Sequence, residues 1–304
     1  RLWLPDKGHW AEYQDFMGHK RVHESAAVWT IYHAIDSETA NPFQAYQATR
    51  YVDTSIPHIP VTAHGLKENG YATIATTNWL PYSWSINNVA FAEVMHTALS
   101  YFQAGRADAG YKLLKSSVLD GMYLGDSPGN FGQISFYDAA RGECYRDFGD
   151  PIGVASRVLI QGLFGILPDA LNQQIILRPG FPDDWDKASV STPDISYRFT
   201  RKEDTDTYHI TQRFLTPLHP VLQINARKEK IRSVKVNGVP ATWQSIESAH
   251  GYPLLSIQAE GTSSTTITIE WEGASLHTLA VQEPVITSNG KLALQIPSGA
   301  SISQ

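Results

Sequence analysis

One charged stretch in the middle of the chain carries the residues best suited to acid and base chemistry. The sequence RGECYRD, residues 141–147, places Glu143 between two arginines and close to a tyrosine. Arg141 and Arg146 could hold the Glu143 carboxylate ionised, and together with Tyr145 they could bind hydroxyl groups. An ionised carboxylate on a loop can accept a proton from a reacting group. The alternative is an ion pair between Glu143 and one of the arginines on a solvated loop.

Two further carboxylates, Asp36 and Glu38, follow an aromatic segment that contains Trp29 and Tyr32. They fall just after a predicted helix, at a junction between helix and loop where side chains can line a pocket. They are therefore a second candidate pair for acid and base chemistry. Charges at a helix end and a cap for the next helix explain the same two residues equally well.

A third cluster, ATTNWLPYSWSINN at residues 75–88, combines aromatic rings with amides. Aromatic rings exposed on a loop offer a face for stacking against a sugar ring, and amides both donate to and accept from hydroxyl groups. The cluster predicts a carbohydrate-binding loop whose contact residues are Asn78, Trp79, Tyr82 and Trp84. A buried aromatic floor is the alternative, and we expect one of the two tryptophans to lie in the core.

The composition excludes several classes of function. The 304 residues carry a formal net charge of -6 with Lys and Arg scattered, so we expect no nucleic-acid partner. No apolar stretch approaches the roughly 20 residues that span a bilayer, and we expect no membrane partner. The single Cys144 allows neither an internal disulfide nor a zinc site of several thiolates, and the histidines fit no common zinc pattern. We expect no metal and no cofactor.

The elements that must position these residues change character near residue 168. Before that point, apolar residues recur at spacings of three and four in 88–104 and 152–166, which predicts amphipathic helices. Helices are also predicted at 22–35 and at 42–54, where an Asn-Pro pair supplies an N-cap and a first-turn proline. The sequence QAGRADAGYKLL predicts a short turn between two antiparallel helices.

Beyond residue 168, short runs such as YHITQRF and TTITIEW alternate or are rich in β-branched residues, and Gly, Pro and Asn separate them. They predict an antiparallel β-sandwich from about Gln174 onward. We therefore expect an α+β chain of two domains: helical hairpins in residues 1–168 and a C-terminal β-sandwich in residues 169–304.

The order of these motifs resembles that of the (α/α)6-barrel, or six-hairpin, glycoside hydrolases, especially their α-L-rhamnosidase-like members. RGECYRDFGDPIGVASRVLIQGLFGILPD follows the order of their final barrel segment, a loop with a catalytic Glu beside an aromatic residue and an Arg, then a Gly-rich helix ending in Gly-Ile and a proline. ILRPGFPDDW and IRSVKVNGV look like the first strands of their β-sandwich. The chain departs from the pattern at Gly142, where that family more often has Trp, and at Cys144.

The resemblance implies an enzyme that works without a cofactor. It implies a glycosidase that cleaves a polysaccharide or oligosaccharide with paired carboxyl groups, with Glu143 as the general base and an inverting mechanism favoured. It also implies a periplasmic or extracellular location in a bacterium.

The number of helices implies that the helical domain is one half of such a barrel. About six helices can be placed before residue 168, whereas twelve close a six-hairpin barrel, and the resemblance places the general acid ahead of Arg1. We therefore expect the apolar helix faces to associate with an N-terminal half of the same protein.

Two other functions fit the same residues. A phosphorylase on the same barrel would replace the base with a phosphate site, so basic residues would crowd its pocket. A non-catalytic carbohydrate-binding protein would keep the aromatic and amide contacts without carboxyl groups on both sides of a bond.

Overall fold

Helices and short strands alternate in the first part of the chain. The computed structural model describes residues 2–62, 66–76, 88–124, 136–138, 143–145, 149–246, 253–276, 285–286 and 292–293. The elements up to residue 163 are β1 (Trp3–Leu4), β2 (His9–Trp10), β3 (Tyr13–Gln14), β4 (Val22–His23), α1 (Val28–Asp36), α2 (Pro42–Ser55), β5 (His58–Pro60), β6 (Ala72–Ile74), β7 (Asn88–Ala90), α3 (Phe91–Gln103), α4 (Ala107–Val118), a π-helical turn (Leu119–Leu124), β8 (Phe136–Asp138), β9 (Glu143–Tyr145), α5 (Asp150–Arg157) and a second π-helical turn (Val158–Leu163).

Helix α3 is the centre of the helical core, because it contacts α1, α2, α4 and α5. The predicted periodicity of 88–104 explains this position, since Phe91, Val94, Met95 and Ala98 are all fully buried. Buried residues of α1, α2 and α4 belong to the same hydrophobic cluster. Burial of each large side chain stabilises the fold by about 1.5 to 3 kcal/mol, so α3 is held firmly in place.

Local capping signals fix the ends of two helices. The side chain of Asn41 accepts a hydrogen bond from the backbone N–H of Gln44 at 2.9 Å, and the Gln44 side chain accepts from the Asn41 N–H, which starts α2 with a capping box. Helix α3 ends at the predicted turn, where Gly105 adopts a positive φ of 74° and Arg106 N–H donates to the Tyr101 carbonyl. Helix α4 follows directly.

The expectation that residues 1–168 form helical hairpins alone is wrong. The described residues there form four antiparallel strand pairs or sheets: β1 with β2, β3 with β4, β5 with β6, and the three-stranded sheet β7-β8-β9. Their strands have only two or three residues, which is too short for an alternating pattern to reveal them. The predicted helix at 22–35 begins at Val28 instead, because residues 22–23 pair with residues 13–14.

The second part of the chain is built from two larger sheets. Its elements are β10 (Ile166–Asp169), a 3₁₀ turn (Ala170–Asn172), β11 (Gln174–Leu177), β12 (Lys187–Ser191), β13 (Ile195–Lys202), β14 (Thr205–Gln212), β15 (His219–Asn225), β16 (Lys228–Val236), β17 (Val239–Pro240), β18 (Gln244–Ile246), β19 (Leu254–Gln258), β20 (Ser264–Ser275), β21 (Val285–Ile286) and β22 (Leu292–Ala293). One sheet has the order β10-β11-β15-β19-β18 and the other β12-β13-β14-β20-β16-β17, while β21 and β22 form a separate pair.

Two details of these sheets differ from the sequence prediction. The sheet region begins at β10 rather than at Gln174, because β10 pairs antiparallel with β11 in register from Ile166 opposite Leu177. The predicted helix 152–166 accordingly stops at residue 163. Strand β11 also pairs parallel with β15, so the sheets are not antiparallel throughout.

The buried faces of the two large sheets share one hydrophobic cluster. Tyr197 of β13 and Ile210 of β14 belong to it, as do Leu222 of β15 and Ile257 of β19 from the other sheet. Burial alternates along β14, so one face of this strand lies in the core. The largest fully buried side chain among the described residues is that of Trp271, whose indole N–H donates to the Asp206 carboxylate at 2.9 Å.

The ring of Phe102 joins the helical part of the chain to the sheets. An added Cβ at Gly162, in the second π-helical turn, would lie 2.6 Å from this ring, and one at Gly180, after β11, would lie 2.3 Å from it. The same Cβ at Gly180 would lie 2.9 Å from the Gly162 carbonyl oxygen. Glycine is therefore needed at this junction for close approach rather than for an unusual φ.

We expect Gly180→Ala to lower the free energy of unfolding by about 1 to 3 kcal/mol, because the new methyl group overpacks the Phe102 junction. Urea unfolding followed by circular dichroism measures the change. Gly153→Ala is the matched control, since Gly153 lies within α5 and its added Cβ would have no described atom within 4 Å beyond its chain neighbours and the backbone of its own helix. Alanine is the better helix former, so the control should keep or raise the urea midpoint. Equal midpoints for wild type and Gly180→Ala would contradict the tight junction.

Candidate active site

A three-stranded sheet brings Glu143 close to the start of the central helix. Asn88 of β7 is directly opposite Asp138 of β8, which is directly opposite Glu143 of β9, so the three residues form one row across the sheet. Ala90, the last residue of β7, immediately precedes α3. Its row lies two residues, about 7 Å, from the row of Glu143.

Glu143 therefore lies in a strand and not in the loop that the sequence predicted. The alternation signal failed here because β9 has three residues, and the pairing with β8 and β7 comes from distant parts of the chain. Tyr145 lies in the same strand, in the row that contains Ala90. Two of the predicted site residues are thus at the entry to α3.

A second carboxyl group, that of Glu93, lies in the first turn of α3. Its Oε2 atom is buried and has no hydrogen-bond partner among the residues that the structure describes. The Thr76 side chain hydrogen-bonds to Glu93 and also accepts from the Ala90 N–H at 3.2 Å. The carboxyl group thus lies beside the β7-α3 junction, with one oxygen bonded and the other buried without a partner.

Burial raises the pKa of Glu93 to about 7. The hydrogen bond from Thr76 acts in the opposite direction, and the negative charges of Asp150 and Glu12 add to the rise. A carboxyl group with this pKa is present in both protonated and ionised forms at neutral pH. It can donate a proton under conditions in which an ordinary carboxyl group has already lost it.

The carboxylate of Glu12 caps helix α1 from a distance. It accepts hydrogen bonds from the Ala27 N–H at 2.8 Å, from the Trp29 indole N–H and from the Thr30 hydroxyl group. No side chain of the N-cap residue itself caps this helix, so Glu12 supplies the missing acceptor and places negative charge at the positive end of the helix. Because its oxygens accept from three donors, Glu12 has a structural role at the start of α1.

Aromatic and imidazole rings extend the cluster along α1 and α3. The Tyr32 ring of α1 stacks on the His96 ring of α3 with centroids 4.7 Å apart. Burial raises the pKa of Tyr32, and the nearby charge of Glu93 adds to this effect. Burial lowers the pKa of His96, and the Arg157 guanidinium group lowers it further. Tyr32 therefore stays a neutral phenol beside the Glu93 carboxyl group.

The predicted pair Asp36 and Glu38 lies at the other end of α1. Helix α1 spans nine residues, so Asp36 is about 12 Å along its axis from the end that Glu12 caps. Both Asp36 oxygens accept from the Arg157 guanidinium group, at 2.8 and 2.6 Å, and Gln103 donates to Oδ1 at 2.8 Å. Burial acts to raise the Asp36 pKa, but these hydrogen bonds outweigh it and the pKa is lowered.

These contacts suit Asp36 to joining α1, α3 and α5 rather than to transferring a proton. Glu38 is exposed and adopts a positive φ of 57° just after the helix, where its N–H donates to the Ile35 carbonyl at 3.0 Å. The structure therefore does not bring Asp36 and Glu38 together with Glu93. Both residues fit the other explanation given for them, that they are charges at a helix end. Their catalytic role stays a prediction.

The other predicted contact residues lie outside the described residues: Asn78, Trp79, Tyr82, Trp84, Arg141 and Arg146. Glu12 and Glu93 were not predicted as site residues. The sequence gives one signal for Glu93, a carboxylate within the apolar run FAEVM. The helix dipole favours an acidic residue in the first turn, so this carboxylate did not need a functional explanation. For Glu12, the sequence gives no local signal, because its partners are fifteen or more residues away.

Three further features of the described residues bear on ligands. They contain no group of three or more His, Cys, Asp or Glu side chains arranged to hold a metal ion. No helix among them is both long and apolar enough to cross a membrane. A cleft of about 400 Å³ is lined by residues of β5 and of the segment that connects it to β6, including His58, Glu68 and Tyr71, but by none of the residues of the Glu93 cluster.

Comparisons with known proteins give weak similarities to glycoside hydrolases. No protein-family profile and no curated protein sequence matches the chain. Among solved structures, an α-L-rhamnosidase from Dictyoglumus thermophilum has a TM-score of 0.38 and 11% identity over 60% of this chain and 21% of its own. A GH127 β-L-arabinofuranosidase from Geobacillus Stearothermophilus T6 has a TM-score of 0.35 and 11% identity over 90% of this chain and 46% of its own.

A third structure, described only as a glycoside hydrolase, has a TM-score of 0.31 and 11% identity over 64% of this chain and 33% of its own. The chain therefore spans less than half the length of each of these three structures.

We expect Glu93→Gln to stabilise the protein increasingly as the pH rises from about 4.5 to 7. In wild type, the folded state binds a proton more tightly than the unfolded state, so stability conferred by the protonated form is lost across this window. Glutamine keeps the shape and does not titrate. Urea unfolding at several pH values should show that the free energy of unfolding of Glu93→Gln exceeds that of wild type by an amount that grows to at most about 3 kcal/mol near neutral pH.

The matched control is Glu272→Gln, which makes the same change at an exposed ion pair with Arg232. Its stability relative to wild type should change by less than about 1 kcal/mol over the same pH range. A pH-independent difference between wild type and Glu93→Gln would contradict the burial of a titrating Glu93.

Proposed function

We propose that the protein is a glycoside hydrolase that acts on a polysaccharide or oligosaccharide with Glu143 as its general base. One observation carries the proposal. The pairing of β7, β8 and β9 places the backbone of Glu143 near the start of α3, and the buried carboxyl group of Glu93 lies in the first turn of that helix. Hydrolysis of a glycosidic bond requires two such groups, one as acid and one as base or nucleophile. The motif order RGECYRDFGDP supports the same assignment.

The finer features of the resemblance are part of this proposal. We propose that α1 to α5 form part of an (α/α)6 barrel and that the two large sheets form the β-sandwich next to it. The shared hydrophobic cluster of the two sheets supports the second point. We further propose an inverting mechanism, association with an N-terminal half of the barrel, and a periplasmic or extracellular location.

The proposed base can be tested with the full natural polypeptide that contains this chain, assayed on a panel of oligosaccharides and aryl glycosides. Glu143→Gln keeps the size and hydrogen bonding of the side chain but cannot accept a proton. We expect kcat to fall by about 10² or more with KM little changed. Added azide should restore turnover, because a small nucleophile does not need the base.

Glu272→Gln serves again as the matched control and should keep wild-type kcat. A Glu143→Gln protein with near-normal kcat contradicts the role of Glu143. Phosphate-dependent cleavage that survives the same change would favour a phosphorylase. Binding of oligosaccharides without turnover by wild type would favour a carbohydrate-binding protein.

Substrate affinity is predicted to depend on the aromatic stretch at residues 75–88. If Trp84 supplies a stacking face for a sugar ring, Trp84→Ala should weaken oligosaccharide binding by about 1 to 3 kcal/mol. Isothermal titration calorimetry measures this affinity, and circular dichroism checks that the variant is folded. Unchanged affinity in a folded variant would remove Trp84 from the binding site.

A further inference from the structure

We infer that Glu93 is the general acid of this site, the group that protonates the leaving oxygen of the substrate. The inference deepens the proposed function and rests on it. It also differs from what the resemblance implies, which is an acid ahead of Arg1. The first observation is the position of Glu93 in the first turn of α3, directly after the strand whose sheet carries Glu143.

The second observation is the state of the carboxyl group itself. A fixed structural carboxylate has its oxygens occupied by donors, as Glu12 and Asp36 do. Oε2 of Glu93 instead is buried with no partner among the described residues, while Thr76 hydrogen-bonds to the same side chain. A buried oxygen without a donor disfavours the ionised form and is suited to carry a proton.

The third observation is the charge around Glu93. Among the described residues, the charged groups that act on it are Asp150 of α5 and Glu12, whose carboxylate accepts from the Ala27 N–H at the start of α1. Both of these neighbours are acidic, and no cation of the described residues shifts the pKa of Glu93. Asp36, in contrast, lies against Arg157 and stays ionised. The environment thus separates carboxyl groups that hold a proton from carboxyl groups that hold a charge.

The chemical step balances with these two residues. The Glu93 hydroxyl proton goes to the glycosidic oxygen as the bond from that oxygen to the anomeric carbon breaks, and its electron pair leaves with the alcohol. A water molecule attacks the anomeric carbon, and its proton passes to the Glu143 carboxylate. The products are a hemiacetal and an alcohol. Glu93 ends ionised and Glu143 ends protonated, and exchange with solvent resets both.

The test compares substrates whose leaving groups need different amounts of protonation. Wild type, Glu93→Gln and Glu272→Gln are assayed on an unactivated oligosaccharide and on a dinitrophenyl glycoside of the same sugar. We expect Glu93→Gln to lose at least about 10²-fold in kcat on the oligosaccharide but only a few-fold on the dinitrophenyl glycoside. The loss of activity on the basic side of the pH profile should disappear in the variant. Glu272→Gln should match wild type on both substrates.

A second measurement does not depend on turnover. Carbon-13 NMR of side-chain carboxyl groups should show one Glu resonance that titrates near neutral pH in wild type and is missing in Glu93→Gln. Glu93→Asp, which keeps the acid but shortens its reach, should retain the basic limb of the pH profile with reduced kcat.

The outcomes separate the two proposals. Equal losses on both substrates with an unchanged pH profile, or no resonance that titrates near neutral pH, would overturn the role of Glu93 and leave the hydrolase proposal standing. Wild-type protein without activity on any glycoside would overturn both.

Discussion

The packing of α3 against four other helices is the constraint on which the rest of the molecule depends. Its apolar residues share one hydrophobic cluster with residues of α1, α2 and α4, and the helix also contacts α5. Its first turn carries Glu93, and the ring of Phe102 in its last turn packs against Gly162, before β10, and Gly180, after β11. The same helix thus sets the position of the buried carboxyl group and the way in which the two parts of the chain meet.

The carboxyl groups near α1 have different roles because their surroundings differ. Glu12 accepts three hydrogen bonds at the start of the helix, and Asp36 accepts three near its end, two of them from Arg157. The hydrogen bonds from Arg157 and Gln103 lower the pKa of Asp36. Glu93 lies among acidic neighbours with one buried oxygen unbonded, and its proton affinity rises accordingly. Residue type alone would give all three the same role.

The sequence predicted the features whose causes are local. Helix α2 followed from the Asn41 cap and Pro42, α3 from its apolar periodicity, the turn after it from Gly105, and β14 from its alternating pattern. The features that it missed depend on partners far along the chain. The start of α1 is set by Glu12, and Glu143 lies in a strand because β7 and β8 pair beside it. Glu93 was overlooked because its burial and its acidic neighbours exist only after α1, α3 and α5 have packed together.

The parallel pairing of β11 with β15 has a consequence for the order in which the chain folds. Residues 178–218 separate these strands, and they include β12, β13 and β14 of the other large sheet. The hairpin of β13 and β14 closes over a two-residue connection, so it can form early and at little entropic cost. The parallel pair must wait until both ends of this long segment have come together, and contacts of such separation are slow to form. We therefore expect the five-stranded sheet, which needs this pair to join β15 to β11, to be completed after the hairpin of β13 and β14 has formed.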